Sequence, residues 1–177
     1  MRKIFKLFIL FFIASLAFSC SSDDSNDNNN ATNANNEFTF NGTSFSISNV
    51  FLNDENTSDN TPSDIAIIMS NINLLTESQS NGVNYVYFDF QGVELQTGTI
   101  NNIPDYTILE NASFVNSEID TGNTILDDTV NGFMATNTTV NINSLSLSQI
   151  DFDFTFTRED GEIITGNYAG IYTVISQ

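Results

Sequence analysis

Few side chains in this sequence can do chemistry. It has no His, one Cys (Cys20), and lysines only at Lys3 and Lys6, beside Arg2. Beyond Cys20 the only cation is Arg158. Without His there is no Ser-His-Asp triad and no Cys-His dyad. Imidazole-ligated zinc, copper or iron is excluded too, and Schiff-base chemistry would need a lysine beyond the first six residues. What remains is carboxylates, tyrosines, hydroxyls and Arg158. Asp54, Glu55, Asp59 and Asp64 crowd one polar stretch, and hard oxygen ligands of this kind suit Ca²⁺. Their spacing does not match an EF-hand and no glycine interrupts them, so a solvated acidic loop is expected, with no metal and no other cofactor. A hydrolase working through two carboxylates stays open, because such enzymes need only a pair of acids across a cleft.

Two further features bear on binding. Tyr85 and Tyr87 alternate with Val86, Phe88 and Phe90. If the Phe side is core, both tyrosines stand on the opposite face and can stack on a sugar or a peptide. They become plain packing residues if that face is covered as well. Arg158 is expected to pair with a local acid such as Glu162 near a hairpin turn, a surface contact worth about 0–1 kcal/mol.

The start of the chain reads as an address. Arg2, Lys3 and Lys6 precede an apolar run from Leu7 to Leu16, and small residues lead to Cys20. A basic start, a short apolar core and small residues before the cut define a secretory signal over 1–19. The run is shorter than the roughly 20 apolar residues of a membrane-spanning helix. Ala17-Phe18-Ser19-Cys20 resembles the lipobox of bacterial lipoproteins, although Ala17 stands where that family favours Leu. The resemblance implies that Cys20 becomes the acylated N-terminus. A lone cysteine with no disulfide partner agrees with this, and several acyl chains anchor stably where one is marginal. Ordinary secretory cleavage leaving a free thiol is the competing outcome.

Residues 21–36 are Asp, Asn and Ser with two alanines and one threonine, and cannot bury enough apolar surface to offset the entropy of ordering. A disordered acidic tether over 20–36 is expected, with a reach of roughly 20–25 Å. Asp23, Asp24 and Asp27 just after the cysteine resemble the surface-export signal of Bacteroidota lipoproteins. That resemblance implies an outer-membrane anchor with display on the cell surface; the alternative faces the periplasm. All 22 acidic residues follow Cys20, against Arg158 alone. Nucleic acid is excluded as a partner, since phosphate binding needs clustered Lys and Arg. Docking on anionic headgroups is excluded on the same ground.

From Glu37 to Gln177 the pattern is that of a single all-β domain. Phe38 and Phe40 alternate, Asn41-Gly42 supplies a type I′ turn, and Phe45 and Ile47 resume. Strands are expected over Ile65–Leu75, Val83–Phe90, Val93–Ile100 and Tyr106–Val115. Asn81-Gly82 reads as part of a loop, and Asp120–Thr129 as mostly turn. The apolar parity changes between Ile142 and Leu145, which predicts a bulge near Ser144. Ile150, Phe152, Phe154 and Phe156 face one way while Asp151 and Asp153 face the other, giving one buried and one wet face. On the returning strand, Gly166 and Gly170 leave room for a ring to lie across bare backbone. Nine or ten short strands imply an antiparallel β-sandwich, with a lipocalin-like β-barrel as the alternative closure.

The closing glycine and tyrosine pattern, Gly166-x-Tyr168-x-Gly170-x-Tyr172, is similar to the last strand of many small Bacteroidota lipoproteins of unknown function, and implies no activity. Asp128-Thr129-Val130 resembles an acceptor site of Bacteroidota O-glycosylation, which makes Thr129 a candidate for modification. The sequence therefore points to a non-catalytic, membrane-anchored lipoprotein whose β-domain binds a glycan, a peptide or an outer-membrane protein. A carboxylate-based hydrolase and a purely structural surface-coat protein are the alternatives.

Overall fold

The computed structural model describes residues 35–54, 65–90 and 95–175. The expected signal at 1–19, Cys20, most of the tether, and Glu55, Asp59 and Asp64 lie outside the described residues. The described residues form twelve strands, beginning with β1 (Glu37–Phe40), β2 (Thr43–Ser46), β3 (Asn49–Asp54), β4 (Ile65–Ser70), β5 (Gln79–Phe90) and β6 (Gly98–Asn101). They continue with β7 (Asp105–Val115), β8 (Glu118–Ile119), β9 (Asn123–Asp127), β10 (Ala135–Leu145), β11 (Gln149–Arg158) and β12 (Ile163–Ile175). The fold is an all-β sandwich whose sheet does not close into a barrel.

One layer runs β6-β10-β11-β12, with the β1–β2 hairpin on the far edge of β12; the other runs β3-β4-β5-β7, with β8 and β9 beside β7. The last strand belongs to both. Up to Ile171 it pairs antiparallel with β11, and from Tyr172 to Ile175 it pairs parallel with β3. That parallel pair is the exception to the expected antiparallel pattern. Between the layers lies a phenylalanine core. The ring of Phe88 on β5 sits 6.1, 5.7 and 5.9 Å from those of Phe152, Phe154 and Phe156 on β11. These tilted and edge-on contacts are the geometries that aromatic quadrupoles favour.

Local chemistry explains where elements begin and end. Asn41 and Gly42 both have positive φ, 48° and 74°, as a type I′ turn requires. The expected bulge is present: the β10–β11 register shifts between Ile142 and Ser144. Past it Leu147 is fully exposed at the turn. Ile65–Leu75 is not one strand, because β4 stops at Ser70. Asn71 ends it by offering side-chain atoms to β5: its Oδ1 accepts from the Asn84 amide (2.9 Å) and its Nδ2 donates to the Gly82 carbonyl (3.1 Å). Asn81-Gly82 is not a loop but a bulge inside β5, with Gly82 at φ 70°. Asp120–Thr129 holds a real strand, β9. Another bulge there lets the consecutive residues Ile125 and Leu126 both be buried, which erases the period-2 signal. Asn36, expected in the tether, is tied to β12: its side chain accepts from the Ala169 amide and donates to the Ala169 carbonyl.

Arg158 does not take Glu162 as its side-chain partner. Its guanidinium holds Asp160 in a two-pronged ion pair, with Nε 3.0 and 2.9 Å from the two carboxylate oxygens. Its Nη1 donates to the Ile125 carbonyl at 3.0 Å, and the group lies over Phe40 and Phe133 at 5.1 and 5.3 Å from the ring centres. It is a fastener between elements rather than a surface contact.

Candidate functional site

The face of β5 opposite the core carries the candidate site. Val86, Phe88 and Phe90 point into the sandwich and are buried, so Tyr85, Tyr87 and Asp89 project from the other side of the sheet. Cross-strand register extends this face into rows. Tyr85 is paired with Ser70 and Leu109, Tyr87 with Ile68 and Thr107, and Asp89 with Ala66 and Asp105. Phe51 on β3 is opposite Ile68. The outer face of this sheet is thus apolar at its centre and carries two carboxylates at one end.

Bulges deepen the centre. On β7 the pairing skips from Leu109 to Ala112, with Asn111 at φ 50°, so that both side chains face outward. Together with Val83 and Phe114 they form a second apolar cluster, packed against Ile72, Leu74, Tyr85 and Ile119. Two walls rise beside it. The first is the 71–78 loop, stapled by Asn71 and turned by Asn73, whose carbonyl accepts from the amides of Thr76 (3.2 Å) and Glu77 (3.0 Å). The second is the β7–β8 hairpin, whose turn residues Asn116 and Ser117 have φ of 53° and 68°. Between the walls lies an open cavity of about 730 Å³, lined by residues that include Phe51, Ile68, Leu75, Tyr85 and Leu109. That size and apolar lining are typical of ligand sites.

The sequence-singled tyrosines divide. Tyr85 lines the cavity, half-buried, and burial together with the nearby Asp105 charge pushes its phenol up to about 12. Tyr87 stands just outside the cavity lining. Its hydroxyl lies 3.3 Å from Asp89 Oδ2 and 3.4 Å from Asp105 Oδ2, sharing one proton between them. Burial, Asp89 and Asp105 all hold this phenol protonated far above its ordinary value. One ring thus lines the cavity, while the other's hydroxyl bridges two acids beside it.

Asp89 and Asp105 are the acid pair nearest to a hydrolase arrangement. One oxygen of each lies within hydrogen-bonding reach of the Tyr87 phenol, at 3.3 and 3.4 Å. They sit side by side on one sheet face, however, and not across a cleft from each other. Asp128 is close by and held above the usual carboxylate value, by desolvation first and then by Asp105 and Asp127. Thr129 is exposed, and its hydroxyl and amide both donate to Asp127 Oδ1, at 2.6 and 2.9 Å. Asp54 is the last residue of β3. Among the described residues no group of three or more potential ligands is arranged to hold a metal ion.

Sequence reasoning missed Phe51, Ile68 and Leu109 as site residues. The clue was present in Ile65-Ala66-Ile67-Ile68-Met69, which is apolar on both faces and so announces a second covered surface. Compared with known proteins, the chain matches no family model, no curated protein and no solved structure.

Proposed function

We propose that this chain is a membrane-anchored lipoprotein of the outer membrane, held through Cys20 and displaying a non-catalytic binding domain. The observation that carries the reading is the apolar cavity on the outer face of the second sheet. A sandwich needs only one apolar face per sheet for its core. Here the second face of β3, β4, β5 and β7 presents Phe51, Ile68, Tyr85 and Leu109 as well. Among the described residues two walls flank it. The basic start of the sequence, the apolar run and Cys20 support the anchor, and the acids after Cys20 support display on the cell surface.

Titration of a neutral apolar dye onto the full-length protein tests the binding role. One saturable site per chain is expected, lost in Ile68→Asp with the circular dichroism unchanged. Dye uptake that never saturates, or that survives the substitution, overturns the reading.

A further inference from the structure

We propose that the 146–149 turn between β10 and β11, with Ile171 and Val174 of β12 beside it, is a membrane-contacting tip that dips Leu147 into the bilayer that holds Cys20. This rests on the Cys20 anchor proposed above and adds how the domain stands on the membrane. Leu147 is 99% exposed, Ile171 67% and Val174 61%, so three large apolar side chains face outward at one end of the sandwich. Ile171 is the cross-strand partner of Gln149. Tyr172, on the same face of β12 as Val174, donates its hydroxyl to the Ser146 carbonyl at 2.8 Å, which puts Val174 on the side of the strand that meets the turn.

The backbone of the turn suits an apolar medium, where every unpaired polar group is costly. The Ser146 amide donates to the Gln149 carbonyl (2.9 Å), and the Ser146 hydroxyl accepts from the Gln149 amide (3.0 Å). The Ser148 carbonyl accepts from the Tyr172 amide (3.2 Å). Leu147 stands out from this closed frame. Charge agrees. Residues 129–150 and 163–177, which meet at this tip, carry no charged side chain in a chain with 22 acids. At the other end of β12 Ile163 is exposed too, but it follows Asp160 and Glu162. An acidic domain cannot lean on anionic headgroups, so the uncharged end is the one that can approach lipid. The chain also enters the domain at this end: Asn36 grips both backbone groups of Ala169, two residues before Ile171. Cys20 is near in sequence, and a short link gives a weak apolar contact the effective concentration to persist.

The test uses the full-length chain, expressed in a bacterial host and reconstituted in phosphatidylcholine vesicles that carry nitroxide-labelled phosphatidylcholine. A polarity-sensitive thiol dye is placed at the tip through Ser148→Cys, or at the far end through Glu162→Cys, nine residues or about 30 Å along β12 from Ile171. The tip dye should be quenched at least about threefold more than the far one, as befits a group held in the interface. Leu147→Asp should abolish that difference, with circular dichroism and vesicle flotation unchanged. Equal quenching at the two positions, or a difference that survives Leu147→Asp, overturns the inference and leaves the anchor standing. If the wild-type chain does not float with the vesicles, or its Cys20 thiol takes up the dye, the anchor reading itself falls and the inference with it.

Discussion

The ring of Phe154 lies directly on the backbone of Gly166, its cross-strand partner: a Cβ built at 166 would sit 2.3 Å from both Cε1 and Cζ of the ring. Gly166 is not at a positive φ, so its role is space and not backbone freedom. Gly166→Ala should cost about 1–3 kcal/mol by overpacking, and Phe154→Ala about 3–5 kcal/mol by emptying the core. Combined, Gly166→Ala and Phe154→Ala should cost clearly less than their sum, because each removes the reason for the other. Denaturant unfolding of the four proteins measures this, and strict additivity would show the contact to be without energetic weight. Asp153→Ala, one residue away and pointing at solvent, should cost under about 1 kcal/mol.

Arg158 should not tolerate lysine. Lys can keep an ion pair with Asp160 but cannot also reach the Ile125 carbonyl and cover Phe40 and Phe133 with a planar group. Arg158→Lys should lose about 1–2 kcal/mol, more than an exposed ion pair is worth. An unchanged unfolding midpoint for Arg158→Lys would mean that the guanidinium contacts carry no stability.

Alkaline pH should unfold the domain earlier than its acidity suggests. The Tyr85 phenol is raised from 10.0 to about 12, so the folded chain keeps a proton that the unfolded chain releases. Its contribution is complete below about pH 10 and is lost as pH rises toward about 12. Tyr87, Tyr106 and Tyr168 shift in the same direction. Phenolate absorbance should therefore appear together with loss of structure, and Tyr85→Phe should flatten part of the decline. Phenolate formed near pH 10 by a still-folded protein would contradict these burials.

Cys20→Ala should abolish labelling with radioactive fatty acid and move the protein to the soluble fraction. Membrane association that survives the change would place the anchor elsewhere. Deleting residues 21–33 should leave the melting temperature almost unmoved, whereas Asn36→Ala should lower it, since Asn36 binds both backbone groups of Ala169.

Legibility in the sequence followed periodicity. The facing of β11 was readable, because Ile150, Phe152, Phe154 and Phe156 alternate without interruption, although the strand runs from Gln149 through Arg158, and Asn41-Gly42 fixed the first turn. β9 was not, because a bulge places Ile125 and Leu126 on the same buried side. The end of β4 was hidden because the deciding event is Asn71 bonding to residues 11 and 13 positions away, which no local pattern carries. The groove was half legible. Tyr85 stood out by type, but Leu109 and Ala112 face outward together only because β7 is bulged. The Asp89–Asp105 pair depends on β5–β7 register, which sequence spacing alone does not set.

The strand shared by both layers also dictates an order of events. β1, β3 and β11 all take hydrogen bonds from β12, which is made after every one of them. A growing chain can close the β3–β4 and β10–β11 hairpins early, but no strand ladder spans the two layers until Ile163–Ile175 exists. The domain should therefore fold late and slowly, with contacts of long sequence separation formed last. Without β12 the layers meet only through side chains, chiefly Phe88 against Phe152, Phe154 and Phe156, and a chain stopped short of it would have no strand ladder to hold them together.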